Sequence, residues 1–250
     1  MMEGIFTGRA ALVVGGSGGL GAALARRLAG SGARLVVHGG RSAERLDRIL
    51  AELRAAGADA EGFLMPLSGA ADAAGLLDRA GRSSPSGSVD ILAVAWGPFR
   101  RAALESTSPA DWSALVEANL AFPGALVSLA LGGMLGRGWG RILLYGGSLT
   151  DLPRGFAGTA AYSAAKTGLA VLAKSVARGC PGSGVTCNLV CPGLADTEYL
   201  DAAARAYALA KAPGGRLLAP EDLAEAGFQL LANPALNGSV LAADGGLSFQ

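Results

Sequence analysis

Three side chains in the second half of the chain have the types and spacing for proton transfer at an oxygen atom. Ser148 follows the pair Gly146-Gly147, and Tyr162 and Lys166 stand four residues apart in Tyr162-Ser163-Ala164-Ala165-Lys166. On a helix that separation puts both side chains on one face, a turn apart. A free phenol, with a pKa of roughly 10, exchanges protons poorly at neutral pH. A neighbouring ammonium favours the phenolate and lowers that value. Tyr162 could then protonate a nascent alkoxide, or take the proton from an alcohol in the reverse direction. Ser148, at the carboxyl end of a predicted strand, would hydrogen-bond the carbonyl oxygen, and that edge is where open α/β sheets bind ligands. Taken alone, Tyr-x-x-x-Lys is common and is better read as an amphipathic helix with both side chains in water.

A second constellation lies near the amino terminus. Val14-Gly15-Gly16-Ser17-Gly18-Gly19-Leu20-Gly21 follows the first predicted strand and opens a helix. Such a turn lets backbone N–H groups approach a pyrophosphate, and the helix N-terminus faces the anion. Gly15, Ser17, Gly18, Gly19, Leu20 and Gly21 are therefore candidate cofactor residues. With 39 glycines in the chain, chance matches are easy, but the placement directly after the first strand favours the functional reading. An NAD enzyme would carry Asp or Glu about 20 residues further on, for the ribose hydroxyls. Here the second strand runs into His38-Gly39-Gly40-Arg41-Ser42, with no acid. An acid would repel a 2′-phosphate, whereas Arg41 can pair with it, helped by the Ser42 hydroxyl. NADPH/NADP+ is the expected cofactor. Arg41 and Ser42 also suit the simple opening of a helix, with Ser42 as its cap, and both readings can hold together. His38 reads as a strand-end side chain rather than a ligand.

The elements that must position these groups alternate. Short β-branched runs are expected as strands at Ala10–Val14, Arg34–His38, Ala60–Met65, Val89–Val94, Arg141–Gly146, Val185–Val190 and Ser239–Ala242. Helices are expected to begin near Leu20, Ser42, Ala71, Pro109, Pro123, Tyr162, Asp201 and Pro220. The alternation predicts an α/β fold, a doubly wound parallel sheet with helices on both faces. Buried parallel strands read as continuous apolar runs, as Leu12-Val13-Val14 and Ile142-Leu143-Leu144 do. Ser108-Pro109 supplies a cap oxygen and a first-turn proline, and Pro220-Glu221-Asp222 puts two carboxylates in a first turn. Gly81–Ser88 and Ala212–Gly215 are loops too short for domain linkers. With no internal repeat, residues 1–250 are expected to form one domain.

Composition narrows the classes. About half of the 250 residues are apolar, enough for a large core, and the net charge is +1. That balance gives no footprint for nucleic acid or for an anionic membrane. No secretory leader is expected in Met1–Gly8. The apolar stretch Leu120–Leu135, broken by Pro123 and three glycines, reads as a buried helix, not a membrane span. Cys180, Cys187 and Cys191, with His38 the only histidine, give no zinc pattern. They suit reduced thiols in a soluble, cytoplasmic protein, with Cys187 and Cys191 on one strand face.

The combination resembles the short-chain dehydrogenase/reductase family from about Gly8 to Gly246. Gly15, Gly19 and Gly21 match its glycine turn. Asn119, Ser148, Tyr162 and Lys166 match its catalytic tetrad. Cys191-Pro192-Gly193-Leu194-Ala195-Asp196-Thr197 is similar to the Pro-Gly-x-x-x-Thr segment beside the nicotinamide. Arg216, Pro220–Ala224 and Asp244-Gly245-Gly246 are similar to its C-terminal signature. The resemblance implies a Rossmann-type sheet of about seven strands, with hydride passing between C4 of the nicotinamide and a substrate carbon. It further implies cofactor contacts from Pro192, Gly193, Thr197, Tyr162 and Lys166. Lys166 would hold the nicotinamide ribose. Asn119 would hold its helix and a water relaying protons to Lys166. A homotetramer built through the helices carrying Asn119 and Tyr162 is also implied. The pattern is most similar to β-ketoacyl-carrier-protein reductases, whose members often carry an Arg-Ser pair where Arg41-Ser42 stand.

Some positions depart from the family. Asn-Asn-Ala-Gly after the fourth strand is Val94-Ala95-Trp96-Gly97, so side-chain hydrogen bonds are lost there, and Trp96 could cover the cofactor or narrow the substrate entrance. Val14 stands for a frequent Thr, and Pro66-Leu67-Ser68 lacks the acid often found near the adenine. Specificity should sit in a lid around 194–213, where Tyr199, Leu200, Tyr207 and Leu209 suit either an apolar pocket or an ordinary packed surface helix. Arg100-Arg101 could greet an acidic carrier protein or a substrate carboxylate. Three functions remain: NADPH-dependent reduction of a small-molecule or carrier-bound ketone, the reverse alcohol oxidation, and a non-catalytic NADP-binding regulator.

Overall fold

The computed structural model describes residues 4–84 and 87–249. Residues 1–3 of the stretch read for a leader, and residues 85 and 86 of the Gly81–Ser88 loop, lie outside this set. Seven strands form one parallel sheet in the order β3-β2-β1-β4-β5-β6-β7. They are β1 (Ala10–Val14), β2 (Arg34–Gly39), β3 (Ala60–Leu64), β4 (Ile91–Val94), β5 (Gly140–Tyr145), β6 (Val185–Pro192) and β7 (Val240–Ala243). The order reverses between β1 and β4, and that reversal opens a crevice at the carboxyl edge of the sheet.

Side chains of successive strand residues alternate between the faces, and both faces are covered. Ala11, Val13, Leu35, Val37, Ile91, Ala93 and Leu143 pack under α1 (Gly19–Ala29), α2 (Ala43–Ala55) and α8 (Pro220–Ala232). Leu12, Val14, Val36, Leu92, Val94, Ile142 and Leu144 pack under α3 (Ala73–Arg82), α5 (Phe122–Gly136) and α6 (Ala160–Gly179). Cys187 and Cys191 are both buried on this second side, as their spacing of four on a strand requires. The caps act as expected. Ser42 Oγ accepts from Arg45 N at 3.2 Å. Ser108 and Asp111 cap each other's backbone N–H, both at 3.1 Å.

One expectation is corrected at Pro109 and Pro123. They do not open separate helices, because α4 (Pro109–Val116), a π turn at Glu117–Ala121 and α5 run on continuously. Pro123 lacks an N–H and crowds the carbonyl four residues before it, Asn119, and the widened π turn accommodates this. The helical run Pro109–Gly136 is long and apolar enough to cross a membrane by length and composition. Nor is it buried all round. Phe122, Leu126 and Met134 are fully buried, while Leu129 on the outer face is 54% exposed.

Candidate active site

The four candidate residues come from three places, the turn after β5, α6 and the π turn, and lie toward the carboxyl edge. Ser148 sits just past β5, in a turn locked by Thr150, whose Oγ1 accepts from Gly147 N at 2.8 Å and donates to Gly147 O at 2.9 Å. Leu149, directly after Ser148, has φ +63°, the single non-glycine residue in the left-handed region among those described. Backbone strain of that kind persists where the surroundings enforce it, and active sites are common places for it. Ser148 Oγ donates to Gly193 O at 3.2 Å, which ties the serine to the Pro192-Gly193 segment after β6.

Tyr162 and Lys166 share one face of α6, as their spacing requires. Tyr162 lies against Gly147, and the Phe99 ring meets it edge-on with centroids 5.0 Å apart. Lys166 is 4% exposed, and its Nζ donates to Tyr145 O at 3.0 Å. Burial lowers its pKa to about 8. Burial also pushes the Tyr162 hydroxyl up to about 12. The expected lowering of the tyrosine by its lysine therefore does not prevail in this geometry. Lys166 Nζ stands 6.0 Å from the Tyr162 ring centroid, and desolvation of the phenolate outweighs an ammonium at that distance.

Asn119 lies in the π turn. Its Nδ2 donates to Leu115 O and to Pro98 O, both at 3.0 Å, so it braces its own helix and the loop after β4. Its buried Oδ1 takes no hydrogen bond from the described protein groups. A Cβ on Gly97 would lie 3.1 Å from Lys166 Nζ and 3.2 Å from Asn119 Cγ. Glycine at 97 thus keeps the space between the asparagine and the lysine clear.

The glycine turn fits a dinucleotide. A Cβ on Gly21 would come 2.8 Å from the Gly15 carbonyl carbon, so that α1 can start against the turn only with glycine there. Ser17 packs beside Gly39 at the end of β2, which brings the turn next to Arg41 and Ser42. Leu20 packs down on the core. Arg41 is exposed and makes no ion pair among the described residues. An anion already sits at the N-terminus of α1: Glu198 Oε1 accepts from Gly19 N at 3.0 Å. Tyr199 lies over Gly18 and Gly19, with the Arg45 guanidinium 4.9 Å from its ring centroid. Thr197 reaches within 3.9 Å of a Cβ placed on Gly19, so the Pro-Gly-x-x-x-Thr segment spans from Ser148 to the turn.

The structure adds contacts at three of the remaining positions. Trp96 is half-buried: its ring packs edge-on against buried Phe122, centroids 5.1 Å apart, while its Cβ lies 3.1 Å from where a Cβ on Gly15 would stand, at the glycine turn. Of the lid, α7 is Ala202–Lys211, and Leu194, Leu200 and Leu209 pack on Ala208, Ala212 and Leu217 in a small cluster of their own. Arg100 is taken by an ion pair with Asp111, and Arg101 caps the Tyr207 ring at 4.3 Å, so only Arg101 faces the lid. The sequence reading gave no site role to Thr150, Phe99 or Glu198. Only the hydroxyl two residues past Ser148 had a readable signal, as a side chain able to close a turn.

The profile of the short chain dehydrogenase family matches residues 9–208. The chain belongs to the short-chain dehydrogenase/reductase family. This short-chain dehydrogenase is 37% identical to cis-4-hydroxycyclohexanecarboxylate dehydrogenase of Sinomonas cyclohexanicum, over 96% of the chain and 97% of that protein. It is 31% identical to the 3-oxoacyl-[acyl-carrier-protein] reductase of Escherichia coli K12, over 97% and 98%. Its fold matches a single-substitution variant of actinorhodin polyketide ketoreductase with NADPH at a TM-score of 0.86, with 28% identity and 100% of both chains covered. The short-chain dehydrogenase is thus an oxidoreductase of a family that uses nicotinamide cofactors.

Proposed function

We propose that the protein reduces a ketone to a secondary alcohol with NADPH. The observation that carries this reading is the convergence of Ser148, Tyr162, Lys166 and Asn119 on one edge, next to a glycine turn flanked by Arg41 and no acid. Gly15, Gly18, Gly19 and Gly21 would hold the pyrophosphate, Arg41 and Ser42 the 2′-phosphate, and Pro192, Gly193, Thr197 and Lys166 the nicotinamide end. NADPH, when bound, supplies the hydride. Tyr162 donates its proton to the substrate oxygen, Ser148 turns its one hydroxyl hydrogen from Gly193 O to the same oxygen, and the Lys166 ammonium stabilises the phenolate left behind. Asn119 Oδ1, buried without a partner among the described residues, would accept from a water leading to Lys166. The polyketide ketoreductase with NADPH and the 3-oxoacyl reductase support this direction. The Sinomonas relative, named for a hydroxycyclohexane carboxylate, favours alcohol oxidation as the second reading. Rates with purified protein on a ketone panel and on matched alcohols, each with NADPH/NADP+ and NADH/NAD+, test it. Preferred NADPH-dependent ketone reduction supports the first reading, and turnover with NADH alone overturns the cofactor choice.

Two further results are expected. kcat/KM for ketone reduction should hold through neutral pH and fall above about 8, where Lys166 loses its proton, while Tyr162, at about 12, still carries its own. Initial rates across the alkaline range check this, and a level profile there removes Lys166 from the proton path. Glu198→Gln should tighten NADP+ binding about two- to fivefold, because a neutral amide competes less well for the helix N-terminus than a carboxylate does. Calorimetric titration measures it, and unchanged affinity would mean that Glu198 does not compete.

The expected setting is cytoplasmic, as a homotetramer. Exposed Leu129 on α5 and Val171 on α6, the latter 68% exposed, lie on the helices that would meet there. On this reading Arg101, which stacks on Tyr207, would be the residue to meet an acidic carrier or a substrate carboxylate.

A further inference from the structure

His38 is fully buried at the end of β2, beside the last residue of β1 in the register Val14↔His38. Its Nε2 lies 2.8 Å from Met65 O, just past β3. A carbonyl only accepts, so Nε2 carries the hydrogen. Its Nδ1 then presents a lone pair, and Gly15 N donates to it at 3.2 Å. One neutral ring thus ties the first residue of the glycine turn to the ends of β2 and β3. On the other side of β1 the register partner of Val14 is Val94, which has no polar side chain to do this work. Gly15 has φ +77°, and its carbonyl is the surface against which Gly21 and the start of α1 pack. A displaced Gly15 would therefore displace the N–H groups that receive the pyrophosphate.

We propose that His38 is the positioning residue of the dinucleotide turn, and that nucleotide binding requires its uncharged ring. A second proton on Nδ1 would set N–H against the Gly15 N–H. Burial already disfavours that proton, and the charge bearing on the ring works the same way. It comes from Arg79 on α3, which lies over Phe63 at 4.6 Å and donates to Leu64 O at 3.1 Å. Phe63 in turn meets the His38 ring edge-on at 5.9 Å. Around the ring, β1 and β3 present backbone and apolar groups. The neutral form is therefore kept to below the ordinary histidine range, and binding should fail on the acid side of it.

The inference rests on the reading of the glycine turn as a nucleotide site. NADP+ binding to the full-length protein is measured by calorimetry as a function of pH, for the native chain, His38→Gln and His38→Leu. His38→Leu should weaken binding about tenfold at neutral pH, since it leaves Gly15 N–H and Met65 O without their partner. His38→Gln, an amide that can both donate and accept but does not titrate, should bind without the acid-side loss of the native chain. The 2′-phosphate of NADP+ titrates in the same region, and it contributes equally to both proteins, so their difference isolates the histidine. Equal pH profiles for the native chain and His38→Gln would overturn the proposal, even if His38→Leu failed to fold. Absence of NADP+ binding by the native chain at neutral pH would overturn the nucleotide reading itself, and this inference with it.

Discussion

Tyr162→Phe should lower kcat for ketone reduction by about 10²- to 10⁴-fold, the range for loss of a positioned general acid. NADPH binding should stay within the scatter of the wild-type value. The change removes one hydroxyl. The ring that meets Phe99 at 5.0 Å and packs on Gly147 remains, so neither the fold nor the glycine turn is disturbed. Steady-state kinetics beside a fluorescence titration of NADPH separate the two quantities. A variant that keeps near-native kcat would show that another group delivers the proton. A native protein without turnover on any ketone or alcohol, yet binding NADPH, would move the weight to a regulatory role, and Tyr162→Phe would then leave its behaviour unchanged.

Arg41→Ala should raise KM for NADPH about 10- to 100-fold, from the loss of about 1.5–3 kcal/mol of charge-assisted hydrogen bonding to the 2′-phosphate. KM for NADH should not move, because NADH has no such phosphate. Arg41 is exposed, and the cap of α2 belongs to Ser42, so the variant should fold as the native chain does. Kinetics with both cofactors at fixed ionic strength provide the check. The strength must be fixed because exposed charge pairing weakens with salt. A parallel rise for both cofactors would mean that Arg41 acts on the turn as a whole and does not select the phosphate.

Glu198 and His38 each hydrogen-bond a backbone N–H of the same turn. Glu198 accepts from Gly19 N and would compete with an anion there, and His38 accepts from Gly15 N and on our proposal holds it in place. The two variants should therefore move affinity in opposite directions, which no general destabilisation of the turn would do.

Much of this protein was legible in its sequence. Short β-branched, continuous apolar runs placed each of the seven strands to within two residues, because a parallel sheet covered on both faces leaves little choice of side chain. Glycine-turn placement and the four-residue spacing of Tyr162 and Lys166 are local facts, fixed by strand-to-helix geometry and by the helical turn. Local spacing could not say what surrounds a side chain. Burial raised Tyr162 and lowered Lys166, where the spacing alone suggested a tyrosine acidified by its neighbour. Trp96 sets its ring against Phe122 and its Cβ against the Gly15 turn, contacts that composition could not name. Glu198 and Gly19 are 179 residues apart in the chain, and no pattern in either segment announces their contact. His38 looked like an ordinary strand end until β1 and β3 closed on both its nitrogens. The sequence by itself determined the sheet, the turn and which side chains have the types and spacing for proton transfer. Tertiary structure alone decided their solvation and partners, because desolvation and hydrogen bonding depend on neighbours that the chain brings together only when it folds.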